Sequence, residues 1–209
     1  MKNRNVGHGR KDGTLKQRAI ETAAGMFVDA GYNGISMREI SESLGVSKAA
    51  LYYHFKDKQD LMVAILESYL ERMESLFESD ISQGRNCREQ ITRLVTLIFA
   101  QPPQQRAVMR LASQEMGNLD PEVREEFGRT YHRKFIRRIK SILQTGVSRG
   151  EIKLMDTASA TWVLLGMMYP FFYPGSANSE RDATRLVDQI LTIFFDGADS
   201  RARRQDPGA

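Results

Sequence analysis

Between Ser36 and Lys58 the chain reads SMREISESLGVSKAALYYHFKDK, and no other stretch restricts the fold as much. Ser36 is placed to cap a short helix carrying Met37, Ile40 and Leu44 on one face, with Glu39 at the capping-box position. Gly45 and Val46 form a tight turn, and Ser47 caps a second short helix from Lys48 to His54. Ile40, Leu44, Val46, Leu51 and Phe55 can lock the two helices at a fixed angle. Two short helices joined by a glycine-containing turn make a helix-turn-helix.

Helical spacing recurs along the rest of the chain, and strand alternation is nearly absent. A first helix is expected from about Leu15 to Ala30, stopped by Gly31 as a left-handed C-cap. Asp57 caps a long helix from about Lys58 to Phe77. Further helices are expected at about 87–100 and 103–117. Asp120-Pro121 opens a long one ending near Gly150. Asp156 starts an apolar helix ending near Pro170 or Tyr173, and Ser179 starts the last, ended by Gly197. The expectation is an all-α chain of about nine helices. Residues 1–13, with three glycines, read as a disordered basic arm, and residues 198–209 as a polar tail.

Formal net charge is +4, and its position matters more than its size. Residues 1–58 hold ten Lys and Arg against six Asp and Glu, while the remaining residues carry twenty charges of each sign. A basic module on a neutral body suggests a polyanion at one end. The second short helix exposes Ser47, Lys48, Ala49, Tyr52, Tyr53 and His54, a cationic, hydroxyl-rich face with small residues near its start. A helix needs such a face to approach base edges, and its N-terminus attracts phosphate. The bland alternative is a helical hairpin with a polar outer side.

The order and spacing of AGY at the end of the first helix, then S-M-R-E-I, L-G-V-S, L-Y-Y-H-F and K-D-K-Q-D-L, make residues 15–62 resemble the DNA-binding domain of the tetracycline-repressor (TetR) family. The resemblance implies a three-helix DNA-binding domain, here 14–57, and a larger helical ligand-binding and dimerisation domain, here 58–197. It implies a transcriptional regulator, a repressor released from a palindromic operator by a small, largely apolar ligand. Carried over by position, Ser36, Arg38, Ser47, Tyr52, Tyr53, His54 and Lys58 face DNA. Lys48 and Ala49 sit where bases are read, and Tyr52 and Lys58 match phosphate-contacting positions. Ala50 departs from the threonine or serine frequent there. Gating by a protein partner, or no gating, is the alternative within the fold. A helical enzyme is the alternative outside it.

Methionine-rich, aromatic segments suit varied apolar ligands. Candidate lining residues are Phe99, Met109, Met116, Tyr131, Phe135, Trp162 and Met167; taken singly, such residues are more often plain core, and the pocket reading rests on the group. Arg93, Arg110 and His132 are weaker candidates for an acidic head group. Trp162, Leu165, Met168 and Tyr169, with Leu186, Ile190, Ile193 and Phe194, offer a homodimer seam built from two helices per chain. No GxSxG, HExxH or phosphate-loop motif is present, so no catalytic residues and no cofactor are expected. Three scattered histidines and one cysteine, Cys87, give no metal-site spacing. The lone cysteine and the lack of a membrane-length apolar run or signal sequence point to a cytoplasmic protein.

Overall fold

The computed structural model describes residues 8–80, 85–173 and 179–197, and within them it is helical with no strand. In chain order the helices are α1 (His8–Gly34), α2 (Met37–Leu44), α3 (Lys48–His54), α4 (Lys58–Asp80), α5 (Cys87–Phe99), α6 (Pro103–Glu115), α7 (Pro121–Tyr131), α8 (Arg137–Ser148), α9 (Thr157–Met168) and α10 (Glu180–Asp196). The π turn His132–Ile136 joins α7 to α8 without a break, so the described residues form nine helical rods. Short 3-10 turns follow α6 at Met116–Asn118 and α9 at Tyr169–Phe171.

The predicted arm needs correction. Residues 8–13 are helical, and α1 begins at His8 rather than near Leu15. Each added residue of a helix already nucleated gains a hydrogen bond, which outweighs the modest cost of Gly9 and Gly13. Residues 1–7 and the predicted polar tail, 198–209, lie outside the described residues. Gly31 breaks α1 as expected, with φ 76° and ψ 160°, and one further turn runs to Gly34. The helix after Asp57 runs to Asp80, three residues past the expected end.

The chain forms two compact units. Among the described residues, the first comprises 8–69 and 108–127, and the second 70–80, 85–107, 128–173 and 179–197. Ala19, Ala23 and Phe27 of α1, Ile40 and Leu44 of α2, Leu51 of α3, Phe55, and Leu61 and Met62 of α4 are buried in the first. In the second, α5 lies against α8 and α10, and α9 against α8 and α10. Ile91, Leu94, Val95 and Ile98 of α5, Ile139 and Leu143 of α8, and Leu164, Leu165 and Met168 of α9 are buried there. An aromatic series runs through this unit. The ring of Phe77 lies 5.6 Å from that of Phe135, which stacks at 5.5 Å on Tyr131. The hydroxyls of Tyr131 and Tyr169 are 3.0 Å apart, and the rings continue from Tyr169 to Phe172 to Phe99 at 5.8 and 5.7 Å.

Close approach of α5 to α8 depends on Gly146. A Cβ there would stand 2.6 Å from Cys87 Cβ and 2.7 Å from its Sγ. Cys87 is itself buried, and its amide donates to Glu151 Oε2 at 2.6 Å. Burial, helped by the Glu151 carboxylate, pushes the thiol up to about 11, so it stays protonated and inert at neutral pH. Alanine ordinarily stabilises a helix interior relative to glycine. Here the expected sign is opposite: Gly146→Ala should lower the unfolding free energy by about 1–3 kcal/mol through overpacking, read from urea melts.

Candidate nucleic-acid interface

The face that would meet DNA rests on two capped helices. The Ser36 amide donates to Glu39 Oε2 at 2.8 Å, the Ser36 hydroxyl to the same oxygen at 2.6 Å, and the Glu39 amide to Ser36 Oγ at 3.3 Å. The two bonds from Ser36 to the carboxylate, the hydroxyl's first, hold the Glu39 carboxyl below the ordinary carboxylate range. At the other end of α2, Gly45 takes the left-handed conformation, φ 67° and ψ 32°. Its amide donates to Glu42 O and the Val46 amide to Ser41 O, the paired bonds of a Schellman stop. Arg18 of α1 reaches the Leu44 carbonyl at 3.3 Å. Ser47 Oγ then accepts from the Ala50 amide at 3.1 Å and starts α3. Leu51 and Phe55 turn inward, both essentially without solvent exposure.

What remains outside is the predicted reading face. Ser47, Lys48 and Ala49 are exposed, Tyr52 is 42% exposed and Tyr53 76%. The Lys48 ammonium lies 5.5 Å from the Tyr52 ring centre, and Tyr53 meets the half-buried His54 edge to face at 5.1 Å. Exposed tyrosines beside a lysine carry hydroxyl and ammonium donors outward on a rigid element. On α2, Arg38 is exposed and paired with Glu42 at 2.7 Å, and the Ser36 hydroxyl is engaged in its cap.

Lys58 occupies a different situation. Its ammonium donates to the carbonyls of Tyr32 and Ile35, each at 3.0 Å, and stands 4.3 Å over the Tyr32 ring. Two of its three N–H donors therefore close the end of α1 onto the start of α4. Sequence spacing carried no sign of this second task. The surrounding carboxylates are also organised. Glu115 Oε1 accepts the Tyr32 amide at 3.4 Å, and Gln59 and Asp120 exchange hydrogen bonds of 2.9 and 2.6 Å. Burial, followed by the negative charges of Asp57, Asp120 and Glu115, raises the Tyr32 phenol above its ordinary value.

The architecture and the sequence agree with known proteins. A family description, bacterial regulatory proteins of the tetR family, matches residues 19–65, and a second, tetracyclin repressor-like C-terminal domain, matches residues 84–172. The chain belongs to the TetR family. The HTH-type transcriptional repressor KstR2 of Mycolicibacterium smegmatis is 24% identical over 193 residues, covering 87% of this chain and 89% of its own. Among solved structures, AibR with isovaleryl coenzyme A and operator DNA superposes with a TM-score of 0.74 at 21% identity, covering 86% of this chain and 97% of AibR. FadR of Bacillus subtilis with stearoyl-CoA gives 0.75 at 19%, covering 88% and 99%. This TetR chain is thus a DNA-binding transcriptional regulator, of a family whose members are homodimers.

The other predicted residues divide. Leu165, Met168 and Ile190, expected in the dimer seam of the TetR chain, are buried within the single subunit. That is a correction: the apolar α9 packs one side into its own core first, and Ile190 shares the buried face of the amphipathic α10 with Val187 and Leu191. Trp162, expected both in a pocket and in the seam, is 52% exposed, and Ile193 is 53% exposed. Tyr169, Leu186 and Phe194 are half-buried. Phe99 and Phe135 are buried and Tyr131 half-buried in the aromatic series, whereas Met109 and Met116 belong to the first unit. Met167 and Phe171 line a groove of about 710 Å³ with Leu186, Ile190 and Ile193. Among the described residues no cluster of three metal-binding side chains occurs, and no helix is long and apolar enough to cross a membrane.

The Lys58 clamp yields a direct test. Lys58→Met should lower stability by about 1–3 kcal/mol, because it leaves two carbonyls without their charged donor. Lys56→Met, at an exposed neighbouring position, should change it little. Paired denaturation curves compare the two.

Proposed function

We propose that this chain is a cytoplasmic, homodimeric repressor that leaves a palindromic operator when a coenzyme A thioester binds it. The DNA-binding domain spans 14–57 and the effector and dimer domain 58–197, with Lys58 at the boundary also facing DNA, and no catalytic step is involved. The observation that carries the DNA half is the exposed α3 face, with Ser47, Lys48, Ala49, Tyr52 and Tyr53 held outward by buried Leu51 and Phe55. Lys48 and Ala49 read bases, while Tyr52, Tyr53, His54, Arg38 and the remaining Lys58 N–H position the backbone, and Ser36, both of whose donors go to Glu39, serves by fixing the start of α2. The effector half is supported by isovaleryl-CoA in AibR and stearoyl-CoA in FadR, both of this fold. The aromatic series around Phe99, Tyr131 and Phe135 supplies an apolar surrounding for an acyl chain.

An operator selected from random duplexes should bind with strong salt dependence, since phosphate contacts release counterions. Lys48→Ala should alter base preference at one position per half-site, costing about 1–3 kcal/mol there. A uniform loss on all duplexes would instead make Lys48 a phosphate contact. Because coupling is reciprocal, an acyl-CoA that weakens operator binding must itself bind more weakly by the same factor when operator is present. Calorimetry with and without operator measures both.

For the dimer, we assign the seam to the outward residues Trp162, Val163 and Met167 of α9 with Leu186 and Ile193 of α10. Val163 is 56% exposed, so this face leaves an apolar patch in an isolated subunit. Ile193→Arg should give a folded monomer in sedimentation with loss of operator binding. Ile190→Arg should instead unfold the subunit, since Ile190 is core.

A further inference from the structure

The second unit carries a charge feature that neither the reading face nor the dimer seam uses. A groove of about 660 Å³ is lined by Arg133, Lys134, Arg137, Arg138 and Lys140, with Glu74 its only carboxylate. Arg133, Arg137 and Lys140 follow one another at helical spacings of four and three, and Lys134 and Arg138 form the adjacent row. Residues 59–209 are charge-balanced, so this is a local concentration.

Cations four apart on a helix repel one another, and little on the protein relieves them. Among the described residues only Lys134 of the five has a carboxylate in ion-pair range, with Glu74 at 3.1 Å and Glu71 at 4.0 Å. Arg138 donates to the Phe77 carbonyl at 3.1 Å, which orients its guanidinium without neutralising it. Arg133 and Arg137 are exposed. The π turn His132–Ile136 lies at the same place, an irregularity concentrated at functional positions in helices. The opposite face of this rod carries buried Phe135, Ile136, Ile139 and Leu143, and Ile142 reaches the groove itself.

We propose that this groove binds the phosphate groups at the nucleotide end of the effector. The ligand class is a compound with clustered phosphates on one end and an apolar chain on the other. Guanidinium forks suit phosphate oxygens, and several forks on one rigid element suit several phosphates held close together. The groove size falls within the range of small-molecule sites. This assignment rests on the coenzyme A reading above and adds to it the residues that recognise the invariant part of the ligand. Chain-length selection is then left to the apolar side.

The test uses the full-length protein, titrated calorimetrically with adenosine 3′,5′-bisphosphate, coenzyme A and stearoyl-CoA. The variants are Arg133→Gln/Arg137→Gln and, as a control outside the groove, Lys153→Gln. Both arginines are exposed, so the double variant should fold, which circular dichroism checks. The expected result is wild-type binding of all three compounds. The double variant should lose at least tenfold in affinity for each and show a shallower salt dependence, while Lys153→Gln binds as wild type. If stearoyl-CoA binds wild type and double variant alike, the groove assignment is overturned and the coenzyme A reading stands. If the bisphosphate binds in the groove but no acyl-CoA binds wild type, the phosphate site stands and the effector reading falls. No binding of any phosphate compound overturns both. Loss of duplex DNA affinity in the double variant, with coenzyme A binding unchanged, overturns the assignment in favour of nucleic acid.

Discussion

One ammonium group joins the ends of two helices in the first unit. Lys58 Nζ sits on the carbonyls of Tyr32 and Ile35 just beyond the left-handed Gly31, and over the Tyr32 ring. Those carbonyls lie where a helix has run out of its own amide donors. Without a donor they would have to face water, and the turn into α2 would lose its fixed direction. With it, α1 ends, α2 starts from the Ser36 cap and α4 departs from Asp57, whose Oδ1 accepts the Asp60 amide at 2.8 Å. The placement of α3 follows, because Phe55, packed beneath it, stands between two fixed ends.

The signals that could be read in the sequence were those with local chemistry. Ser36 with Glu39, Ser47, Asp156 and Ser179 each cap the helix they were expected to cap. Gly31, Gly45 and Gly197 each take the positive φ that ends one. These devices act over three or four residues, so spacing alone reveals them. The exposed α3 face was legible for the same reason: in so short a helix, the buried positions determine the outward ones.

Non-local choices were not legible. The α9 sequence TASATWVLLGMM is apolar on every side, so periodicity could not tell core from seam. Leu165 and Met168 went inward, and Trp162 and Val163 outward. The same holds for Lys58, whose partners Tyr32 and Ile35 are more than twenty residues distant, and for Gly146, a glycine required only because Cys87 crosses it. The π turn has neither proline nor glycine to announce it. The run HRKFIRRIK lies in a charge-balanced stretch of sequence, and only the helix geometry shows its cations gathered in one groove with a single carboxylate.

The first unit is not one continuous stretch of sequence. Residues 108–127 belong to it, and from that segment Glu115 accepts the Tyr32 amide, Arg110 donates to the Val28 carbonyl and Asp120 exchanges hydrogen bonds with Gln59. Anyone building hybrid regulators by exchanging N-terminal segments would cut the links of Glu115 to Tyr32 and of Arg110 to Val28, and, if the segment runs past Gln59, that of Asp120 as well. A graft ending near residue 57 leaves the donor's helix ends facing a foreign α6–α7 corner. The transferable module is therefore two pieces, the N-terminal stretch through Tyr69 together with the corner that holds it. Matching that corner, more than the recognition helix itself, sets which bodies can accept which heads.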